Sequence, residues 1–187
     1  MIAGVDFGAR FAGTTVVCFD LGDHLELLRV ARGEDADARL FAFVAARGPR
    51  ALYLDAPLSL PAAYGHSGSD FFYRACDRLL AAMSPMFLGA LTARAIQLKH
   101  TLAPTPVFEV YPRAAARLLE QQHVQGYRKD RPSSYLAQLQ RCLPLPVPGA
   151  VTSWHDIDAI LAWWSGWRHT RGEACAFGHP SEGIIWV

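Results

Sequence analysis

The first part of the chain alternates short apolar runs with turn-forming residues, a pattern typical of β-strands. Three such runs cover residues 2–7, 14–19 and 24–31, and the segments between them are rich in turn-forming residues. We expect an antiparallel meander here. Apolar side chains then recur at helical spacing over residues 35–47, just ahead of Gly48-Pro49, and predict a crossover helix.

The rest of the chain combines two further strand patterns with several helical ones. Short apolar runs predict a fourth strand at residues 51–54 and a fifth at residues 106–111. Helical spacing predicts two helices within residues 69–100, separated at Ser84-Pro85. Further helices are predicted over residues 113–122, 134–141 and 154–169. Residues 181–187 end in another strand-like run.

Together these elements predict an α/β fold. We expect a mixed five-stranded sheet, an antiparallel meander followed by parallel strands, with helices on both faces. A right-handed crossover would lay the fourth strand parallel to the first. Asp6 and Asp55 would then lie at the same carboxyl edge of the sheet, where α/β proteins bind their ligands.

Length and charge narrow the class of protein. The 187 residues suit one domain, and 51% hydrophobic against 19% charged residues favours a packed globular chain. A net charge of +1 excludes nucleic-acid binding through bulk positive charge. No secretory signal or membrane-spanning run is visible, so we expect a cytoplasmic protein that does not bind membranes, with four cysteines as buried thiols.

Acidic residues inside apolar runs are the clearest sign of chemistry. Asp6 interrupts the first strand, and a buried carboxylate needs a cationic partner or a metal unless it only caps the following turn. Asp55 ends the fourth strand and is equally well explained by an Asx-turn. Glu109 lies in the fifth strand, where a salt bridge to Arg113 or Arg117 is the structural alternative.

The start of the last long helix carries three further titratable residues. Asp156 follows Ser153 by three positions and fits a capping acid. His155 and Asp158 are three residues apart and therefore share one face of the helix. If this helix packs on the sheet, it can deliver both side chains to the edge that carries Asp6.

Convergence of Asp6, Asp55 and Asp158 would require divalent cations, because three carboxylates repel one another. Hard carboxylate oxygens suit Mg²⁺ or Mn²⁺. Two such ions about 3.5–4 Å apart can activate a water, stabilise the leaving oxygen and clamp a phosphodiester. The residues therefore predict two-metal hydrolysis of a nucleic acid or another phosphoester.

Five short motifs, taken in order, resemble the predicted-nuclease family called domain of unknown function 429. They are Gly4-Val5-Asp6-Phe7-Gly8, Leu54-Asp55-Ala56-Pro57-Leu58, Arg74-Ala75-Cys76-Asp77, Phe108-Glu109-Val110-Tyr111-Pro112 and His155-Asp156-Ile157-Asp158-Ala159. The similarity spans nearly the whole chain. It implies a ribonuclease H-like fold, the superfamily that includes Holliday-junction resolvases, and a magnesium-dependent acidic site.

The resemblance also assigns residues. It implies that the superfamily's acids fall on Asp6, Asp55 and Asp158, and that His155 matches a position where junction resolvases carry Asp or His. Glu109 belongs to the family pattern, and its role as ligand or strut stays open. The resemblance implies one domain over residues 1–187 with a helical insertion around residues 69–100, and the analogy with resolvases implies a homodimer.

Basic residues near these elements are candidates for contacts with substrate phosphates. Arg74 lies with Asp77 on one predicted helix face, and Arg113, Arg128 and Lys129 follow the fifth strand. For the basic cluster at residues 127–131, an ordinary solvated loop is the simpler explanation. The tryptophans of the last helix offer rings for base stacking, but packing explains most of them.

Two rival functions are considered, of which the first is another enzyme and the second belongs to a different class. An actin-like sugar kinase shares the ribonuclease H-like unit but needs two such units, and 187 residues supply one. A catalytically silent module of the same fold that binds nucleic acid or protein stays open.

Overall fold

The computed structural model describes residues 1–187 and contains one mixed sheet of seven strands. The strands are β1 (Ala3–Asp6), β2 (Val16–Asp20), β3 (Leu25–Arg29), β4 (Leu52–Asp55), β5 (Val107–Val110), β6 (Ala176–His179) and β7 (Gly183–Trp186). The helices are α1 (Ala36–Arg47), α2 (Ala75–Leu80), α3 (Pro85–Leu88), α4 (Ala90–Thr101), α5 (Pro112–Glu120), α6 (Pro132–Leu139) and α7 (Trp154–Thr170).

The strand order is β3-β2-β1-β4-β5-β7-β6. The first three strands pair antiparallel, which confirms the meander, and β1, β4, β5 and β7 run parallel to one another. The expected count of five strands is wrong, because β7 extends the sheet beyond β5 and β6 pairs with it as an antiparallel edge. β6 has the sequence Ala-Phe-Gly-His and is mostly exposed, so it carries no buried apolar run that would predict a strand.

Helices cover both faces of the sheet. On one face, Ala3 and Val5 of β1 belong to an apolar cluster that includes Leu40 of α1 and Leu98 of α4. The other face packs against α5, α6 and α7 through a second cluster centred on side chains such as Trp163. This division follows from the strand geometry, because successive side chains point to opposite faces.

Gly4 allows α7 to lie directly against β1. A Cβ atom at this position would come within 2.0 Å of the backbone nitrogen of Trp163, so any larger residue would push the helix away. The helix begins with the predicted capping box, in which Ser153 and Asp156 each accept a hydrogen bond from the other's backbone N–H. Its first turn therefore lies beside the carboxyl end of β1.

The segment from residue 69 to residue 100 differs from the two predicted helices. It contains three, α2, α3 and α4, and residues 69–74 form a loop. A left-handed residue, Ala81, ends α2, and Gly89, which also has a positive φ, ends α3, each after one or two turns. None of the helices has the length and apolar character needed to cross a membrane. Cys18 and Cys76 are buried as expected, whereas Cys175 is exposed.

Candidate active site

Two carboxylates meet at the carboxyl edge of the parallel strands. Asp6 is the last residue of β1 and Asp55 the last of β4, and the two are direct partners in the register of this parallel pair. The expectation that they share one edge is therefore confirmed. Asp55 has no hydrogen-bond or ion-pair partner in the protein, although its neighbours in β4 are buried.

Asp158 of α7 completes a group of three acids. Burial, followed by the negative charges of Asp6 and Asp158, raises the pKa of Asp55 well above its ordinary value. Burial and the charge of Asp6 raise the pKa of Asp158 to about 6. The pKa of Asp6 is also raised, mainly by burial. Asp55 and Asp158 line one cavity, and Asp6 and Asp55 line a second, so the three carboxylates surround the same edge of the sheet.

His155 forms an ion pair with Asp6. Its Nδ1 lies 2.7 Å from Oδ2 of Asp6, and this hydrogen bond raises the pKa of the imidazole. The pairing follows from the three-residue spacing of His155 and Asp158 on α7, which presents both side chains to the same edge. The imidazole therefore holds one oxygen of Asp6 and leaves the other without a hydrogen bond.

Both oxygens of Asp158 are occupied by the loop between α5 and α6. The hydroxyl of Tyr127 donates to Oδ1 at 2.6 Å, and the guanidinium of Arg128 donates to Oδ2. Arg128 has a φ of 56°, in the left-handed region that non-glycine residues rarely adopt. Such a conformation costs on the order of 1–3 kcal/mol and persists only where the surrounding structure fixes it.

The carboxylate oxygens of Asp6, Asp55 and Asp158 suit a hard divalent cation. The carboxylate of Asp55 supports this, because it has no partner in the protein and is available as a ligand. Three carboxylates in one place provide the oxygen ligands that Mg²⁺ and Mn²⁺ prefer. In the arrangement described, no three His, Cys, Asp or Glu side chains form a ready-made metal site. Arg128 holds Asp158, so cation binding requires Asp158 to exchange that contact.

Two adjoining cavities open onto the acids. The first, the basic cavity, has a volume of about 520 Å³. Its lining includes the carboxylates Asp55 and Asp158 and the cations Arg113, Arg117, Arg128 and Lys129. The second, the apolar cavity, has a volume of about 340 Å³. Its lining includes Asp6, Asp55, Met83, Leu88 and Leu91. Asp55, Tyr111 and Arg128 line both cavities, which form one groove across the sheet edge.

Glu109 is an ion-pair residue, but its partner differs from the alternative suggested by the sequence. Arg74, rather than Arg113 or Arg117, binds it, with Nη1–Oε2 and Nη2–Oε1 distances of 2.7 and 2.6 Å. Glu109 also accepts a hydrogen bond from the backbone N–H of Leu58 at 2.9 Å. It thereby ties β5 to the loop that follows Asp55.

Arg74, expected to contact substrate phosphates, is fully buried. Its guanidinium is shared between Asp77 and Glu109 and also donates to Ser59. Its guanidinium N–H groups donate to protein acceptors, so Arg74 acts as a structural cation in this arrangement. The sequence offered Arg74 and Asp77 as neighbours on a helix face, but the partner in β5 lies 35 residues away in the chain.

The remaining predicted residues divide between the groove and the core. Arg113, Arg128 and Lys129 line the basic cavity, as expected for phosphate contacts. Trp163 and Trp164 are buried, which confirms packing for both.

Sequence reasoning missed the contact of Tyr127 with Asp158 and the place of Tyr111 and Arg117 in the groove. The only sequence signal for these contacts was the basic segment in the loop between α5 and α6. The sequence does not show where this loop lies, because loop positions depend on tertiary contacts.

Comparison of the chain with protein-family models, with curated proteins and with solved structures gave no match.

Proposed function

We propose that this protein is a divalent-metal-dependent hydrolase of phosphodiester bonds with a ribonuclease H-like fold. The observation that carries the proposal is the partnerless carboxylate of Asp55, which is in register with Asp6 and lines the same cavity as Asp158. The strand order β3-β2-β1-β4-β5, an antiparallel meander followed by parallel strands, supports the fold assignment. The resemblance to domain of unknown function 429 supports the same reaction.

Asp6, Asp55 and Asp158 are the residues that would hold the metal. When bound, Mg²⁺ or Mn²⁺ supplies Lewis-acid chemistry, stabilising charge on the attacking and leaving oxygens of the phosphodiester. The chain itself contributes the negative cluster that concentrates the cation and the sheet edge that fixes the spacing of its carboxylates. The groove then brings the phosphodiester to this edge.

The basic cavity is the part of the groove suited to the substrate phosphates. Arg113, Arg128 and Lys129 provide donors beside Asp55 and Asp158, and guanidinium groups bind phosphate oxygens in a bidentate geometry. His155 orients Asp6 through its Nδ1 contact. We assign Glu109 a strut role, because Arg74 and the N–H of Leu58 occupy both of its oxygens.

Removal of the carboxylate of Asp6 or of Asp158 is expected to slow hydrolysis strongly. With Mn²⁺ present, Asp6→Asn and Asp158→Asn should each lower kcat by at least about 10²-fold on bis(4-nitrophenyl) phosphate and on oligonucleotides, because charge stabilisation of the transition state is lost. Activity assays and calorimetric Mn²⁺ titration measure this. Asp130→Asn, in the exposed loop, is the control and should keep full activity. A wild type that binds no divalent ion, with activity unchanged in both variants, would sink the proposal.

A catalytically silent module is the second candidate, and one observation favours it. Tyr127 and Arg128 occupy both oxygens of Asp158, as expected for a carboxylate that serves only structure. In that case Mn²⁺ titration gives no heat, and single-stranded or branched oligonucleotides bind without being cleaved. The same experiment therefore separates the two functions.

Arg128 is expected to oppose metal binding while assisting catalysis. Arg128→Ala removes a cation from beside Asp158, so Mn²⁺ should bind about tenfold more tightly, a modest fraction of the Coulomb energy of such a pair near a surface. The kcat should fall, because the variant lacks a side chain that binds the substrate phosphate. Isothermal titration and steady-state kinetics measure the two effects. Arg128→Lys should restore part of the kcat, and weaker Mn²⁺ binding by Arg128→Ala would contradict the assignment.

A further inference from the structure

Exposed hydrophobic side chains are concentrated in one stretch of the chain. Of the nine large hydrophobic residues that are exposed, seven lie between residues 60 and 87. They are Leu60, Tyr64, Phe71, Phe72, Leu79, Met83 and Phe87. Single exposed apolar residues are normal on a soluble protein, whereas a concentration of them marks an interaction surface.

Three rings and one guanidinium of this stretch form a contiguous surface, which we call the aromatic patch: Phe72, Tyr73, Arg78 and Phe87. The ring centroids of Phe72 and Phe87 lie 5.9 Å apart, and those of Tyr73 and Phe87 lie 6.0 Å apart. Arg78 places its guanidinium carbon 3.6 Å from the centroid of Tyr73. Phe72 and Phe87 are 54% and 64% exposed, so much of their surface faces solvent.

Polar contacts hold the patch in place without burying its rings. The carboxylate of Asp70 accepts hydrogen bonds from the backbone N–H groups of Phe72 and Tyr73, at 2.9 and 3.0 Å, and from Arg78 at 2.8 Å. The hydroxyl of Ser84 donates to the carbonyl of Phe72. A surface fixed in this way loses little conformational entropy when a ligand binds.

The patch belongs to the segment that walls the apolar cavity. Met83 and Leu88, on either side of Phe87 in the chain, line that cavity together with Asp6 and Asp55. The basic cavity adjoins on the other side of Asp55. The patch residues themselves lie outside both cavities, but Phe87 is next in the chain to Leu88, which lines the apolar cavity, so the patch borders the groove that contains the carboxylates.

We propose that the aromatic patch stacks with unpaired bases of a single-stranded nucleic acid whose phosphate backbone lies in the groove. This inference rests on the proposed function and names its substrate class. Aromatic faces and a stacked arginine bind bases of any sequence, whereas a duplex keeps its base faces inside the helix. An anionic membrane is a poor fit, because Asp70 offsets the charge of Arg78.

Fluorescence anisotropy with a fluorescein-labelled single-stranded oligothymidylate tests the patch, in EDTA and at constant salt so that neither metal nor cleavage enters the readout. The double variant Phe72→Ala, Phe87→Ala should raise the dissociation constant at least about tenfold, within the range expected for lost base stacking. Phe87→Ala alone should raise it about fivefold. With an oligouridylate in place of the oligothymidylate, the substitutions should weaken binding by the same factors, because the rings contact base faces rather than sugars.

Leu79→Ala is the matched control, since Leu79 is also exposed but has no ring to stack. Its dissociation constant should stay within about twofold of wild type. A loss equal to that of the double variant would indicate general apolar docking and overturn the proposal. Unchanged binding by the double variant would overturn it too. So would a wild type that binds a duplex of the same length as tightly as the single strand. Binding to phosphatidylserine vesicles that the double variant loses would also overturn it, in favour of a lipid surface.

A second substrate separates this inference from the proposed function. Bis(4-nitrophenyl) phosphate with Mn²⁺ has no stacked strand, so its kcat/KM should be unchanged in the double variant. If the wild type cleaves no phosphodiester, but the double variant binds oligothymidylate more weakly than the wild type does, the hydrolase proposal fails and the patch proposal stands. If hydrolysis is intact and oligothymidylate binding is unaffected, the patch fails and the hydrolase proposal stands.

Discussion

Asp55→Asn is expected to stabilise the metal-free protein while destroying its activity. In EDTA the variant should gain about 1–2 kcal/mol, because a half-buried charge with two like-charged neighbours and no partner is removed. For a chain of this size that corresponds to a melting temperature about 2–8 °C higher. Hydrolysis should fall by at least about 10²-fold, because a metal ligand is lost. Thermal unfolding in EDTA and assays with Mn²⁺ measure the two effects.

In the presence of Mn²⁺ the wild type should become more stable than Asp55→Asn. At Mn²⁺ concentrations about 100 times the dissociation constant, the wild type should gain about 2.7 kcal/mol, whereas Asp55→Asn gains little. Asp130→Asn, a surface carboxylate substitution, is the control and should follow the wild type in both buffers. A variant less stable than wild type in EDTA would contradict the assignment of Asp55 as an unpaired charge.

The pH dependence of Asp55→Asn has a definite sign. The pKa of Asp55 is raised in the folded protein, so the folded state binds a proton at pH values where the unfolded state does not. The associated stability is fully present below the unfolded pKa and is lost as the pH rises through the folded one. Asp158, with a pKa of about 6, behaves in the same direction. The advantage of Asp55→Asn in EDTA should therefore be largest at alkaline pH and shrink as the pH falls.

The carboxylates were predictable because their positions depend on local patterns and one handedness rule. Asp6 and Asp55 each end an apolar run, and β4 lies parallel to β1, as the rule of right-handed crossovers predicts. The capping box at Ser153 and Asp156 similarly marks the start of α7. These signals depend on residues close together in the chain.

The partners of the carboxylates were not predictable in the same way. Asp158 is held by Tyr127 and Arg128, from a loop about thirty residues earlier, and Glu109 by Arg74, 35 residues earlier. Opposite charges occur throughout the sequence, and only the packing of α2 and of the α5–α6 loop selects which pairs meet. β6 was missed for another reason, because an exposed edge strand buries too little apolar surface to produce a pattern.

Arg74→Met is expected to cause the largest loss of stability. The guanidinium is the single cation of a buried cluster that contains Asp77 and Glu109, so its removal leaves two carboxylates without a countercharge. Breaking such a cluster costs about 3–5 kcal/mol. The melting temperature should fall by roughly 6–20 °C, as measured by calorimetry. Arg171→Met, which removes an exposed ion pair with Glu173, should cost less than about 1 kcal/mol.

The pH dependence and a compensating variant identify the cause of that loss. Burial already raises the pKa of Glu109, against the opposing effect of Arg74, and removal of Arg74 raises it further. Glu109 then takes up a proton more readily in the folded state, so the loss should be greatest at alkaline pH and shrink as the pH falls. The triple variant Arg74→Met, Asp77→Asn, Glu109→Gln carries no buried charge in this cluster and should recover most of the stability. A stable Arg74→Met protein with only a raised KM would instead assign Arg74 to the substrate, because a phosphate contact affects binding rather than folding.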